Sequence, residues 1–136
     1  MNSITLSQAQ EAVMAALKEA TEMEVKMNIV IVNAGANLVA FARQDGAGLG
    51  SIDIAMKKAK TARFFDMPWA EIGKLSQPDE PLYGIEVTNN GPVSFGGGFP
   101  VKNSAGEVIG AIGVSGGQVK QDEQVAKAGL KALGSK

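Results

Sequence analysis

The chain has 136 residues, room for one domain around one apolar core. Thirteen Lys and Arg against 14 Asp and Glu leave a formal charge of −1, which excludes the net positive surface that nucleic-acid and polybasic membrane binding require. Cysteine and histidine are both absent, which excludes disulfides, thiolate chemistry and imidazole bases.

In chain order, the first predicted helix opens at Leu6-Ser7, where Ser7 and Gln10 have capping-box spacing. Ala12, Val13, Ala16, Leu17 and Ala20 follow at helical period, with Lys18, Glu19 and Glu22 on the other side. The segments VKMNIVIVN and LVAFARQ read as strands of a hairpin, joined by AGAN, whose Gly and Asn tolerate positive φ. The unbroken apolar run Ile29-Val30-Ile31-Val32 predicts a strand covered on both faces, hence central in the sheet. DGAGLGS is a glycine-rich loop, and Ser51 is placed to cap a helix running from about Ile52 to Phe65. The predicted buried stripe of that helix is Ile52, Ala55, Met56, Ala59 and Ala62, with Lys57 and Lys60 on the far side. Lys58 falls near Ile54, Ala62 and Phe65 at the edge of this stripe. Two readings apply to it: a stem packed on apolar surface with its ammonium in water, or a cation aimed at a pocket.

MPWAEIGKL predicts a short helix with Pro68 in its first turn and Trp69 as a packing anchor. From Ser76 to Gly98 periodicity is lost, and an irregular run of that length inside a compact domain is functional or mobile. FPVKN, SAG and EVIGAIGV form a second hairpin. The last helix is expected to begin at Asp122 and Glu123, with Lys127 and Lys131 toward its end, both suited to the helix dipole. The order α-β-β-α-α-loop-β-β-α predicts a single α/β (α+β) domain over residues 1–136, with helices packed on an antiparallel sheet. Neither a basic-then-apolar leader nor an apolar run of spanning length is visible, so a soluble cytoplasmic protein is expected.

The stretch Gly113-Val114-Ser115-Gly116-Gly117 fits the G-x-S-x-G nucleophile elbow, with a strand before it and a helix after. A serine hydroxyl needs a base, and the chain has no imidazole to supply one. A Ser–Lys pair is the remaining alternative. The stronger reading is that these glycines let backbone pack closely and turn sharply where strand gives way to helix.

Four segments in register resemble the GlcG/HbpS family, related to the C-terminal domain of PduO-type corrinoid adenosyltransferases. They are LVAFARQDGAG, Ser51 with the following AMKKAKTARFF, GGGFPVKNSAGEVIGAIGVSGG, and QDEQVAKAGLKAL. The resemblance covers nearly the whole chain. It implies a profilin-like or PAS-like fold with a five-stranded antiparallel sheet, the fifth strand falling within IEVTNNGPVSF, and assembly into tetramers or octamers. It also implies an accessory role linked to glycolate, diol or glycerol catabolism, with haem or a corrinoid as the candidate cofactor. For haem, only Met14, Met23, Met27, Met56, Met67 and Tyr83 offer side-chain ligands, so an apolar groove without strong axial ligation is the expected mode.

Two classes of function follow. In the first, a non-catalytic binder holds an anionic or tetrapyrrole-like ligand between the loops RQDGAGLGS and NNGPVSFGGGFP. Arg43 forks a carboxylate, Asp45 orients Arg43, Ser51 adds a hydroxyl at a helix start, Lys58 adds charge, and Gly96-Gly97-Gly98 form an anion nest. Against this stands the reading of Arg43 and Asp45 as a surface pair and of the glycines as turns. In the second, an enzyme uses Lys58 or a carboxylate as acid or base, the candidates being Asp45, Lys58, Tyr83, Glu86 and Asp122. Alanine-rich helical faces further suggest helix packing between subunits of a homo-oligomer.

Overall fold

The computed structural model describes residues 2–83 and 96–135, apart from the side chains of residues 69 and 73, so the packing expected of Trp69 lies outside the described set. Helix α1 (Leu6–Glu22) is capped by Thr5, two residues before the expected Ser7. The Thr5 hydroxyl accepts the Gln8 amide at 3.1 Å, and Gln8 Oε1 accepts the Thr5 amide at 2.9 Å. The cause is upstream: Ile4 is buried and its amide donates to the Ile109 carbonyl, so the chain is extended up to Thr5 and turns helical immediately after it.

Strands β1 (Asn28–Asn33) and β2 (Leu38–Arg43) form the expected hairpin. Its turn is organised differently from the expectation. Asn33 Oδ1 accepts the amides of Gly35 and Asn37, both at 3.0 Å, and the positive φ of 62° falls on Ala36 rather than on the glycine or asparagine. Helix α2 (Gly50–Phe65) starts two residues before Ile52, so Ser51 lies inside its first turn and does not cap it. The N-cap is Leu49, already helical at φ −60° and ψ −45°, a geometry that leaves no extended residue from which a hydroxyl cap can act. The short α3 (Trp69–Leu75) follows Pro68, whose carbonyl accepts the Glu71 and Ile72 amides. Strands β3 (Gly98–Lys102) and β4 (Val108–Ser115) make the second hairpin. Helix α4 (Val119–Ala132) begins three residues before Asp122, through a reciprocal Gln118–Gln121 cap.

The four described strands run in the order β2-β1-β4-β3, every pairing antiparallel. The segment expected to carry a fifth strand, residues 85–95, lies outside the described residues. Central β1 is buried along its apolar length, as its unbroken aliphatic run requires. Ile29 and Ile31 join the core beneath α1 and α4, while Val30 and Val32 meet Ala55, Ala59 and Ala62 of α2. Helix α2 lies flush on β4 because Gly113 carries no side chain: a methyl there would overlap the Ala55 carbonyl and sit 3.0 Å from Ala59 Cβ.

Candidate functional site

The ladder places Arg43 opposite Asn28 and Asn28 opposite Ser115, so one row of polar residues crosses β2, β1 and β4 at one end of the sheet. The loop from Gln44 to Leu49 climbs from this row into the first turn of α2. Arg43 Nη2 donates to the Ala47 carbonyl at 2.6 Å, and Asn28 Nδ2 donates to the adjacent Gly48 carbonyl at 3.2 Å. Arg43 and Asp45 are both exposed, and Asp45 does not pair with Arg43 among the described ion pairs. Ser51 leans over Gly48: a methyl on that glycine would meet Ser51 Oγ at 3.3 Å. The structure thus brings Arg43, Asp45 and Ser51 to one loop, with Asn28 beneath them.

Lys58 departs from both sequence readings. It neither reaches water nor faces a pocket as a free cation; it is 1 % exposed. Its ammonium donates to Asp122 Oδ2 at 3.0 Å and to the Val114 carbonyl at 2.8 Å, while Asp122 Oδ1 accepts the Gly117 amide at 2.9 Å. One buried ion pair therefore fastens α2, the end of β4 and the first turn of α4 together. Burial is the main influence on both partners, pushing the Lys58 pKa down and the Asp122 pKa up, with the mutual charge attraction opposing each shift. Gly97, at φ +110°, packs against this pair: a methyl there would stand 3.0 Å from Lys58 Nζ and 2.8 Å from the Val114 carbonyl oxygen. The Gly97 carbonyl accepts the Val114 amide at 2.9 Å, and Gly98 lies against the Lys58 backbone. Gly96 meets the side chains of Val119 and Glu123. The three glycines are seated on Lys58 and α4, at a different place from the Arg43 loop.

Sequence reasoning missed the partnership of Lys58 with Asp122 and the role of Asn28. Signals for both existed. Lys58 stands three residues after Ala55 and four before Ala62, inside the apolar stripe, where a lysine needs a buried partner. Asn28 is the polar residue heading a strand that is otherwise aliphatic up to Asn33. The Ser115 elbow is also resolved. Ser115 stays in the strand ladder opposite Asn28 and is buried, whereas an elbow would lift its hydroxyl onto a tight turn.

A second surface is apolar. Leu6, Gln10, Val13 and Met14 of α1 and Val39, Ala40 and Phe41 of β2 line a groove of about 600 Å³. Met14 is 66 % exposed there, so packing does not account for it. For a haem-type group the fit is partial. The walls suit an apolar macrocycle and the Met14 thioether is a weak axial donor, but the chain has no imidazole or thiolate for strong ligation. The alanines expected to pack between subunits are used within the monomer, α1 against α4 and α2 against the sheet. No helix among the described residues is long and apolar enough to cross a membrane.

Comparison with known proteins agrees with this architecture. A family model described as haem degrading protein HbpS-like matches residues 4–131. An uncharacterized 15.0 kDa protein of the dhaT-dhaS intergenic region of Citrobacter freundii is 40 % identical over 129 residues, 94 % of this chain and 90 % of that protein. The corrinoid adenosyltransferase PduO of the same organism is 33 % identical over 132 residues; these are 96 % of this chain and 39 % of PduO, so the chain corresponds to well under half of that enzyme. The crystal structure of a PduOC:heme complex superposes with a TM-score of 0.93 at 31 % identity, covering 98 % of this chain and 97 % of the other. With the family model matching almost end to end, this chain belongs to the HbpS-like family.

Proposed function

We propose that this chain is an accessory small-molecule-binding protein that takes a flat, haem-type tetrapyrrole in the groove between α1 and β2. The observation that carries this reading is the exposed thioether of Met14 within an apolar groove of about 600 Å³ beside the exposed Phe41 ring. Support comes from the PduOC structure that superposes on this chain, a complex with heme. A bound macrocycle supplies the redox and ligand chemistry, while the protein's own residues wall off its face through Leu6, Val13, Val39 and Phe41. Arg43 and Ser51 are proposed to receive an acid group, with Asp45 on the same loop proposed to orient Arg43 once a ligand is bound. Lys58, Gly96, Gly97 and Gly98 hold the neighbouring strand ends in place from beneath. The closed Lys58–Asp122 pair speaks against proton transfer by Lys58, because both groups are already bonded and buried.

The PduO relative, a corrinoid adenosyltransferase, supports a setting beside corrinoid metabolism; the link to glycolate, diol or glycerol catabolism and the cytoplasmic setting are part of the same proposal. A homo-oligomer of four or eight chains is part of the proposal, with exposed Leu38 and Phe64 as apolar surface available for contact. The test is a haem titration followed by visible spectroscopy and gel filtration. The wild type is expected to shift the Soret band and to retain haem on the column. Phe41→Asp is expected to abolish retention, and Met14→Leu to alter the band while retention persists. No Soret shift and no co-elution for the wild type overturns the reading.

A further inference from the structure

We infer that the end of the sheet under the first turn of α2 is a site for a short 2-hydroxycarboxylic acid, its carboxylate on Arg43 and the α2 amino-terminal amides and its hydroxyl on Asn28. This deepens, and rests on, the reading of the Arg43–Ser51 loop as an anion site.

Asn28 is fully buried, and its Oδ1 has no hydrogen-bond partner among the described residues. Buried acceptors are almost always paired, so an orphan of this kind marks a place prepared for a donor. The other end of the same amide is fixed on the Gly48 carbonyl, which directs the side chain at the loop entering α2. Helix α2 has 16 residues and no side-chain cap. Its first-turn amides of Ser51 and Ile52 reach back only by long bonds of 3.2 and 3.3 Å, to Gly48 and Leu49. Its positive dipole end faces this loop, and the acidic residue of its first turn, Asp53, is turned to Lys57 at 3.2 Å. Arg43, next to Asn28 in the ladder, forms no ion pair with any described carboxylate.

The two demands differ in kind. The cation and the helix end call for an anion, and the orphan oxygen calls for a hydroxyl hydrogen. Arg43 and Asn28 face each other across the ladder, where side chains start about 5 Å apart, so one short ligand can engage both. A 2-hydroxy acid is the most compact ligand that carries both groups. The hydroxyls of Ser51, over Gly48, and Ser115, opposite Asn28, are the polar groups flanking the bound head. Entry requires the loop to lift, and its side-chain anchors are the Arg43–Ala47 and Asn28–Gly48 bonds. A ligand that takes over Arg43 and Asn28 thus competes for the loop's own fastenings.

The experiment is isothermal titration calorimetry of the intact chain with lactate, 3-hydroxypropionate and propionate. Lactate is expected to bind at least about tenfold more tightly than either of the others, as expected where a buried polar group reads a hydroxyl. Asn28→Leu is expected to bring the three acids within about twofold of one another, and Arg43→Lys to weaken all three alike, because the lysine loses the bidentate fork. Equal binding of lactate and propionate by the wild type overturns the assignment to Asn28 while the loop remains an anion site. Binding of none of the three overturns both. The wild-type series alone decides, whether or not the Asn28 variant folds.

Discussion

The two faces of the sheet are built from different materials. On the side of α1 and α4, Ile29, Ile31, Ile112 and Val114 of the sheet meet Val125 and Leu130 of α4 and the alanines of α1, a core whose large aliphatic side chains come mainly from the sheet. Beneath α2 the apolar contacts are Val30, Val32 and Ala111 against Ala55, Ala59 and Ala62. Four of the buried polar residues, Asn28, Lys58, Thr61 and Ser115, lie on α2 or on the strand ends it covers, and Asp122 reaches Lys58 from the first turn of α4. Small-on-small packing brings α2 close enough to the sheet for its polar side chains to be drawn out of water. The bulky face holds the domain together, and the close-packed face collects its polar chemistry.

The sharpest way to break this contrast is at Lys58. Lys58→Met leaves the Asp122 carboxylate buried without its cation and is expected to cost about 3–5 kcal/mol in urea unfolding. The double variant Lys58→Met with Asp122→Leu is expected to recover stability to within about 1–2 kcal/mol of wild type or to exceed it, because an apolar pair avoids the desolvation cost. A single variant costing no more than an exposed ion pair would show that α2 is not locked electrostatically. On the opposite face, Ile31→Val removes one methylene and is expected to cost only about 0.5–1.5 kcal/mol by the same measurement.

The smallest effect is in the pH dependence. Burial, acting against the pull of Lys58 and the Gly117 amide, raises the Asp122 pKa above its ordinary 3.8. The folded protein therefore binds this proton where the unfolded chain has already released it. The resulting stabilisation is fully present below pH 3.8 and is lost as pH rises through the folded-state value. Thermal melts should show wild-type stability, relative to Asp122→Asn, falling with rising pH across that window. An opposite slope would mean that the attraction of Lys58 outweighs desolvation.

Much of the fold was legible in local pattern. The aliphatic run at Ile29–Val32 announced a central strand, and both hairpins and the four helices of the described residues carried their periodicity openly. Helix starts were less legible. Thr5 rather than Ser7 caps α1 because a contact with Ile109, over a hundred residues away, sets where the extended chain ends. Leu49 enters α2 already helical, which no residue type near Ser51 signals. The site was legible only as composition. Arg43, Asp45 and Ser51 do gather on one loop, but Lys58 and Asp122 are 64 positions apart and helical pattern alone does not pair them. Asn28 was hidden by being a single polar residue at the head of an apolar run.

The G-x-S-x-G stretch illustrates how a signature arises without its chemistry. Gly113 is small so that a helix can rest on the strand, and Gly117 turns its amide to Asp122 beside the side chains of Met27 and Gln121. Ser115 between them remains a rung of the ladder. In this fold the glycines follow from steric need, a helix laid across the strand at Gly113 and the next helix fastened by its first turn at Gly117. For chains of this kind, whether the serine stays paired in the ladder or is lifted onto the turn separates hydrolases from look-alikes better than the letters do.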